Sequence, residues 1–241
     1  MRREDPNFRV FGAEQHQYQL GPTLSNGYLD AFEHRHQVRL PADYRLFLRE
    51  AGNGGTKRHP GRFMGDSGAG PYYGLLTLED AAADSDLSNS FPLIQATKNL
   101  ADEELERCID PDRFPGVPGA LALCHQGSGI VSFLVVNGPT YGTMWEGRED
   151  FFPTGLSFDA WYRRWMDRLV TRALPVLANE RAAARTKVGM TMAQVINICG
   201  GHWKKKEWGT NEWFLSFDHL ATQFELNEQD VVVRKIEHCI S

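Results

Sequence analysis

Apolar positions along this chain recur at helical spacing in some stretches and alternate or run together in others. Ser25 stands as an N-cap before a helix predicted to about His36, with Leu29, Phe32 and Glu33 at spacings of three and four. Leu40-Pro41 breaks it and starts a second helix from Ala42 to about Ala51. That helix carries the stripe Tyr44, Phe47 and Leu48, and Gly52-Asn53-Gly54-Gly55 stops it. Tyr72 to Leu76 reads as a short strand, and Leu78 to Ala83 as one or two helical turns. The runs Ala120–Cys124, Ile130–Val136 and Gly142–Glu146, with a turn at Asn137-Gly138-Pro139, predict an antiparallel meander. Ser157 to about Arg185 reads as one long helix. Its apolar face is Phe158, Trp161, Trp165 and Leu169, Arg163, Arg164, Arg168 and Arg172 lie largely opposite, and Pro175 kinks or ends its first segment. Glu180 to Lys187 is polar and alanine-rich, the pattern of a linker helix or hinge. From Gly189 a short helix with Val195, Ile196 and Ile198 is closed by Gly200-Gly201. Strand-like runs follow at Glu212–Phe217, Ala221–Leu226 and Val231–Ile236.

These elements predict an α+β fold: a mostly antiparallel central sheet flanked by helices, with a small C-terminal α+β unit. The expected organisation is an N-terminal extension over 1–20, a main domain over 21–186 and a helix-plus-three-strand unit over 187–241.

Composition narrows the class. With 241 residues, 41% hydrophobic and 24% charged, the chain is globular rather than disordered. It has no run of about 18 apolar residues, so no transmembrane helix is expected. The start Met-Arg-Arg-Glu-Asp-Pro leads into no apolar segment, so a cytoplasmic location is expected. The net charge of −5 argues against nucleic acid as the direct partner. That charge is local. Between Glu79 and Asp112 ten acidic residues face two basic ones, Lys98 and Arg107.

Several segments resemble active sites only in part. Gly65-Asp66-Ser67-Gly68 looks like a protease serine loop, but too little chain precedes it for a histidine base and a buried aspartate. No Gly-Lys-Ser/Thr follows its glycines, so it is no phosphate cradle. Gly127-Ser128-Gly129 reads as a tight turn. His34 and His36 are two apart, so on a helix they point different ways. Lys204-Lys205-Lys206 between Trp203 and Trp208 forms a basic-aromatic patch, read as solvated loop rather than a nucleic-acid site. Cys108, Cys124, Cys199 and Cys239 include no C-x-x-C pair and read as free thiols. Zinc would need Cys199, His202, His238 and Cys239 to meet across unrelated segments, so no metal and no cofactor are expected. No catalytic residue is assigned.

As an ordered set, other segments resemble the SUKH superfamily of fungal cell-wall-synthesis regulators and bacterial immunity proteins. The resemblance rests on Leu40-Pro41-Ala42-Asp43-Tyr44-Arg45-Leu46-Phe47-Leu48 with Gly52-Asn53-Gly54-Gly55. It continues in Gly127-Ser128-Gly129, Phe133 to Gly138, Tyr141-Gly142-Thr143-Met144-Trp145, and Ser157-Phe158-Asp159-Ala160-Trp161 with Trp165. The likeness covers about residues 20–175. The glycine-rich stretch Arg58–Gly70 is a departure from it, and the C-terminal unit, similar to the SmpA/OmlA fold without a lipobox cysteine, is an addition. The resemblance implies a non-catalytic protein-binding scaffold, and specifically an immunity protein that binds and neutralises a cognate toxin. A nuclease toxin would carry basic residues for phosphates, which an acidic surface can occupy. The expected partner-binding residues are then Asp84, Asp86, Asp102, Glu103, Glu104 and Glu106. The alternative is a regulatory scaffold that binds cellular partners without neutralising a toxin.

Overall fold

The computed structural model describes residues 1–55, 67–97, 109, 114–207, 212–218 and 220–240. The chain forms two compact units, one of Gly12–Trp165 and one of Met1–Phe11 with Met166–Ser241.

The Gly12–Trp165 unit carries α1 (Ala13–His16), α2 (Asn26–His36), α3 (Ala42–Glu50), α4 (Leu78–Ala82) and the start of α5 (Phe158–Arg168). Ser25 caps α2, its hydroxyl accepting from the Tyr28 amide. Four strands follow in chain order across an antiparallel sheet: β1 (Ala120–Gly127), β2 (Ile130–Val135), β3 (Thr143–Gly147) and β4 (Phe151–Ser157). Ser128 and Gly129 join β1 to β2, both at positive φ (51° and 80°), as a two-residue turn that follows strand twist requires.

This sheet is apolar on both faces. On one, Leu121, Leu123, Leu134 and Met144 pack with Leu29, Phe32, Tyr44, Leu48, Leu78, Phe158 and Trp161 from the helices. On the other, Ala122, Phe133, Val135, Trp145 and Phe151 pack under Phe91, Leu93 and Val117. Burial on both faces explains why β2 reads as a continuous apolar run instead of an alternation. Two expectations change here. Tyr72–Leu76 is not a strand: Leu75 makes only isolated bridges to Gly68 and Cys124. The meander has a fourth strand, β4, hidden in the sequence by Pro153 and Gly155, residues tolerated because β4 is an edge strand.

The other unit carries a π-helical turn Leu169–Ala173, α6 (Leu174–Ala183), α7 (Met192–Cys199) and a second antiparallel sheet. Its strands are β5 (Trp203–Glu207), β6 (Trp213–Phe217), β7 (Thr222–Leu226) and β8 (Val232–Glu237), again in chain order. Thr191 and Gln194 form a reciprocal capping box at the start of α7. Val195 of α7 and Ala183 of α6 pack with Leu215, Phe217, Phe224, Leu226 and Val232.

At Pro175 the helical run changes segment: a π-helical turn, Leu169–Ala173, precedes it, and α6 starts with the proline in its first turn. Two readings are corrected in this unit. Glu180, expected in a linker helix or hinge, lies in α6 and is only 7% exposed. Its carboxylate accepts from the Thr222 amide (2.9 Å), the Thr222 hydroxyl (2.6 Å) and the Arg9 guanidinium (2.6 Å). That cluster joins the N-terminal segment and α6 to β7 within the unit of Met1–Phe11 and Met166–Ser241. Lys204-Lys205-Lys206 lies on a strand, β5, at the sheet edge, where lysines discourage pairing with other chains. Among the described residues no helix is long and apolar enough to cross a membrane.

Candidate partner-binding surfaces

The segments that suggested a family have definable structural jobs. Asn53, just after α3, is a hub. Its side-chain oxygen accepts from the Gly54 and Leu78 amides (both 2.9 Å), so it caps α4 from a distance. Its own amide donates to Pro22 and its carbonyl accepts from Gly21. Gly54 is pressed against the chain at Leu76: a Cβ there would lie 1.9 Å from the Leu76 carbonyl oxygen. Asp43 of α3 accepts from the Asp159 amide at 3.0 Å, capping α5 across 116 residues. Trp145 is fully buried edge-on to Phe91, with its indole N–H on the Thr143 hydroxyl. Phe158 and Trp161 are buried. Trp165 is half-buried, against His16 and Tyr162.

The acidic stretch divides into carboxylates with local duties and carboxylates left to solvent. Glu79 accepts from the Tyr28 hydroxyl (2.5 Å) and faces Arg35 (3.4 Å). Asp80 accepts from the hydroxyl of Thr77, the N-cap of α4. Asp86 is exposed, but its oxygens hold the following turn: they accept from the Ser88 amide (3.2 Å) and hydroxyl (2.7 Å) and from the Asn89 side chain (2.9 Å). Asp84, in the turn after α4, is exposed. Asp102, Glu103, Glu104 and Glu106 lie outside the described residues.

A second surface is an open groove of about 1010 Å³ between the C-terminal half of α2, the α2–α3 connection and the β2–β3 loop. It is lined by Asp30, Glu33, His34, Arg39, Arg45 and Tyr141 among others. Arg45 bridges Asp30 (2.7 Å) and Glu33 (2.9 Å), and the other Glu33 oxygen accepts from the Leu40 amide (2.9 Å). A smaller hollow of about 610 Å³ continues it past Arg39 and Tyr141 toward Asn137 and Gly138. Nothing in the hydropathy pattern marks this groove. Its only sequence signal was the polar Arg39 between apolar Val38 and Leu40, and Tyr141 in a turn.

The model of the SMI1/KNR4 family (SUKH-1) matches residues 23–164. This chain belongs to that family. The match ends beside the division at Trp165/Met166 and takes in both surfaces just described. The family is one of protein-interaction and immunity-type scaffolds and is generally non-catalytic. Comparison with curated proteins and with solved structures gives no match.

The remaining candidate chemistry is accounted for locally. Ser67 donates its hydroxyl to the Tyr73 carbonyl, which makes it a turn-holding serine. Cys124 is fully buried with its thiol on the Pro71 carbonyl (3.0 Å), and burial pushes its pKa far up, so it is no nucleophile at neutral pH. Among the described residues no three His, Cys, Asp or Glu side chains converge as a metal site; Cys199, His202, His238 and Cys239 are all described. Lys204 pairs with Asp218 (3.1 Å), and Lys205 pairs with Asp230 while standing 4.5 Å over the Trp213 ring. Those partners use two of the three lysines that had suggested a basic patch.

Proposed function

We propose that the chain is a cytoplasmic immunity protein, a binder and not an enzyme, that neutralises a cognate toxin by covering the toxin's basic substrate groove. The observation that carries this reading is where the charge sits. The Gly12–Trp165 unit holds 20 acidic and 13 basic residues, whereas the rest of the chain holds 11 acidic and 13 basic. The family-matched unit is therefore the acidic one, and its excess comes from the Glu79–Asp112 stretch. A concentrated field of one sign speeds encounter with a partner of the other sign and disfavours wrong partners. Asp84, Asp86, Asp102, Glu103, Glu104 and Glu106 are the proposed contacts, with a nuclease as the toxin type. Asp86 plays two parts, since its carboxylate also holds its own turn.

The test is co-expression with the toxin encoded next to the gene in its native host, scored by survival and by titration calorimetry on the purified pair. Alanine at Asp84, Asp102, Glu103, Glu104 and Glu106 together is expected to weaken binding at least about tenfold and to flatten its salt dependence. Unchanged affinity removes the acidic surface from the interface. A toxin that kills equally with and without the wild-type protein removes the immunity reading.

A further inference from the structure

We infer that the groove between α2, the α2–α3 connection and the β2–β3 loop takes an extended segment of the protein partner, with a partner carboxylate held between Arg39 and Tyr141. The inference deepens the proposed function, since it rests on the chain binding a protein. It concerns a different surface from the acidic stretch.

The first argument is that Arg39 is displayed and unspent. Val38 and Leu40 on either side are 8% and 4% exposed, so the extended backbone turns the Arg39 side chain outward. Glu33 fixes that backbone through the Leu40 amide, and Arg45 fixes Glu33. Arg35, Arg45, Arg49, Arg148 and Arg163 each face a carboxylate within 4 Å. Arg39 has no ion pair or hydrogen bond among the described residues. A guanidinium on a fixed backbone, without a counter-charge among the described residues, is suited to a carboxylate, which it can grip with two parallel hydrogen bonds.

The second argument is that Tyr141 is equally fixed and equally open. It is 47% exposed at the tip of the β2–β3 loop. The loop is pinned by its own hydrogen bonds, Tyr141 to Gly138 and Gly142 to Val135. It is also anchored by the Asn137 side chain, which donates to the Leu87 and Ser88 carbonyls. Burial, Glu33 and Asp43 hold the Tyr141 phenol protonated despite nearby Arg39, so it is a hydrogen-bond donor. An aromatic and an arginine carried on backbone already ordered before binding leave only side-chain freedom to lose on contact, and such residues dominate interface energetics.

Charge selects the sign of the occupant. Asp30 and Glu33, which also line the groove, both spend their charge on Arg45. Arg39 and Tyr141, which line both the groove and the hollow that continues it, are left as donors. An acidic residue therefore fits beside Arg39 and Tyr141, and a lysine there would meet Arg39 as a like charge.

The test uses the full-length protein and a random heptapeptide library displayed on phage. The library is selected on the wild type and counter-selected on the double variant Arg39→Ala, Tyr141→Ala. The expected outcome is enrichment of peptides with Asp or Glu at one fixed position. As synthetic peptides these should bind Arg39→Glu at least about tenfold more weakly, and Tyr141→Phe about threefold more weakly, with Arg39→Lys in between. Failure to enrich over the double variant, or enriched peptides without a carboxylate, overturns the inference. The toxin survival assay separates the two readings. Neutralisation that persists in Arg39→Glu, Tyr141→Ala removes the groove and leaves the immunity reading standing. A wild type that does not neutralise removes the immunity reading, while the peptide selection still decides the groove.

Discussion

His16 lies at the end of α1, 3% exposed, packed edge-on against Tyr18 and Trp165. Its Nδ1 accepts a hydrogen bond from the Tyr18 amide at 3.0 Å, a bond that only the neutral ring can accept. Burial lowers its pKa from 6.5 to about 4. In the unfolded chain the ring protonates near its ordinary value, so between these two values the unfolded state binds the extra proton. Stability is then complete above about pH 6.5, falls as the pH drops, and levels off below about 4. From those two values, the loss between pH 7.5 and 5 is about 2 kcal/mol, and the full loss is about 3 kcal/mol. For a chain of this size, 2 kcal/mol corresponds to roughly 4–8 °C in Tm. The check is urea unfolding at pH 7.5, 6, 5 and 4.5 for the wild type and for His16→Asn, which keeps an acceptor but cannot titrate. His36 and His125 are also lowered by burial and contribute equally to both proteins, so the difference between the two curves isolates His16. Parallel curves for the two proteins would refute the argument.

Four further outcomes follow from single contacts. Gly54→Ala should cost more than about 3 kcal/mol, because a methyl 1.9 Å from the Leu76 carbonyl forces backbone apart; thermal denaturation reads this directly. Asp43→Ala should cost about 1 kcal/mol by uncapping α5, and Asp43→Asn should restore most of it. Glu180→Ala should destabilise the unit of Met1–Phe11 and Met166–Ser241 by about 3 kcal/mol, since it removes the acceptor of the Thr222 hydroxyl and of the Ala221 and Thr222 amides and the nearest counter-charge of Arg9. Burial raises the Glu180 pKa, but hydrogen bonds from Thr222 and Arg9 outweigh it and the net shift is downward. Its contribution is therefore present above the ordinary carboxylate range and disappears as pH falls below it, which hydrogen exchange at Thr222 can follow. Trp145→Phe should loosen the packing under Phe91 by about 2 kcal/mol, and near-ultraviolet circular dichroism should report it.

Local rules were enough for most of the helices. Ser25, Pro41 and Thr191 begin their helices where a cap or a fixed φ belongs, because capping depends on neighbours three residues away. The strands were legible where β-branched or alternating apolar residues ran together. They were not legible at β4 and β5. Pro153 and Gly155 are breakers by composition, and Trp203-Lys204-Lys205-Lys206-Glu207 looks like solvated loop. Both are edge strands, whose outer side needs no ladder partner and so tolerates proline and lysine.

The sequence by itself determined the α+β class, most of the helices and the membership of the SUKH family, since each rests on short-range pattern and on signatures in chain order. Only the tertiary structure decided which charged groups are spent. Asp86 serves its own turn, Glu180 is drawn into a core by Arg9 across 171 residues, and Lys204 and Lys205 are neutralised by Asp218 and Asp230. Among the described residues Arg39 meets no carboxylate, and it lines the groove beside Tyr141. The reason is that a side chain's charge is available only if nothing in the folded chain reaches it. That reach is set by packing between distant segments, which local periodicity does not encode.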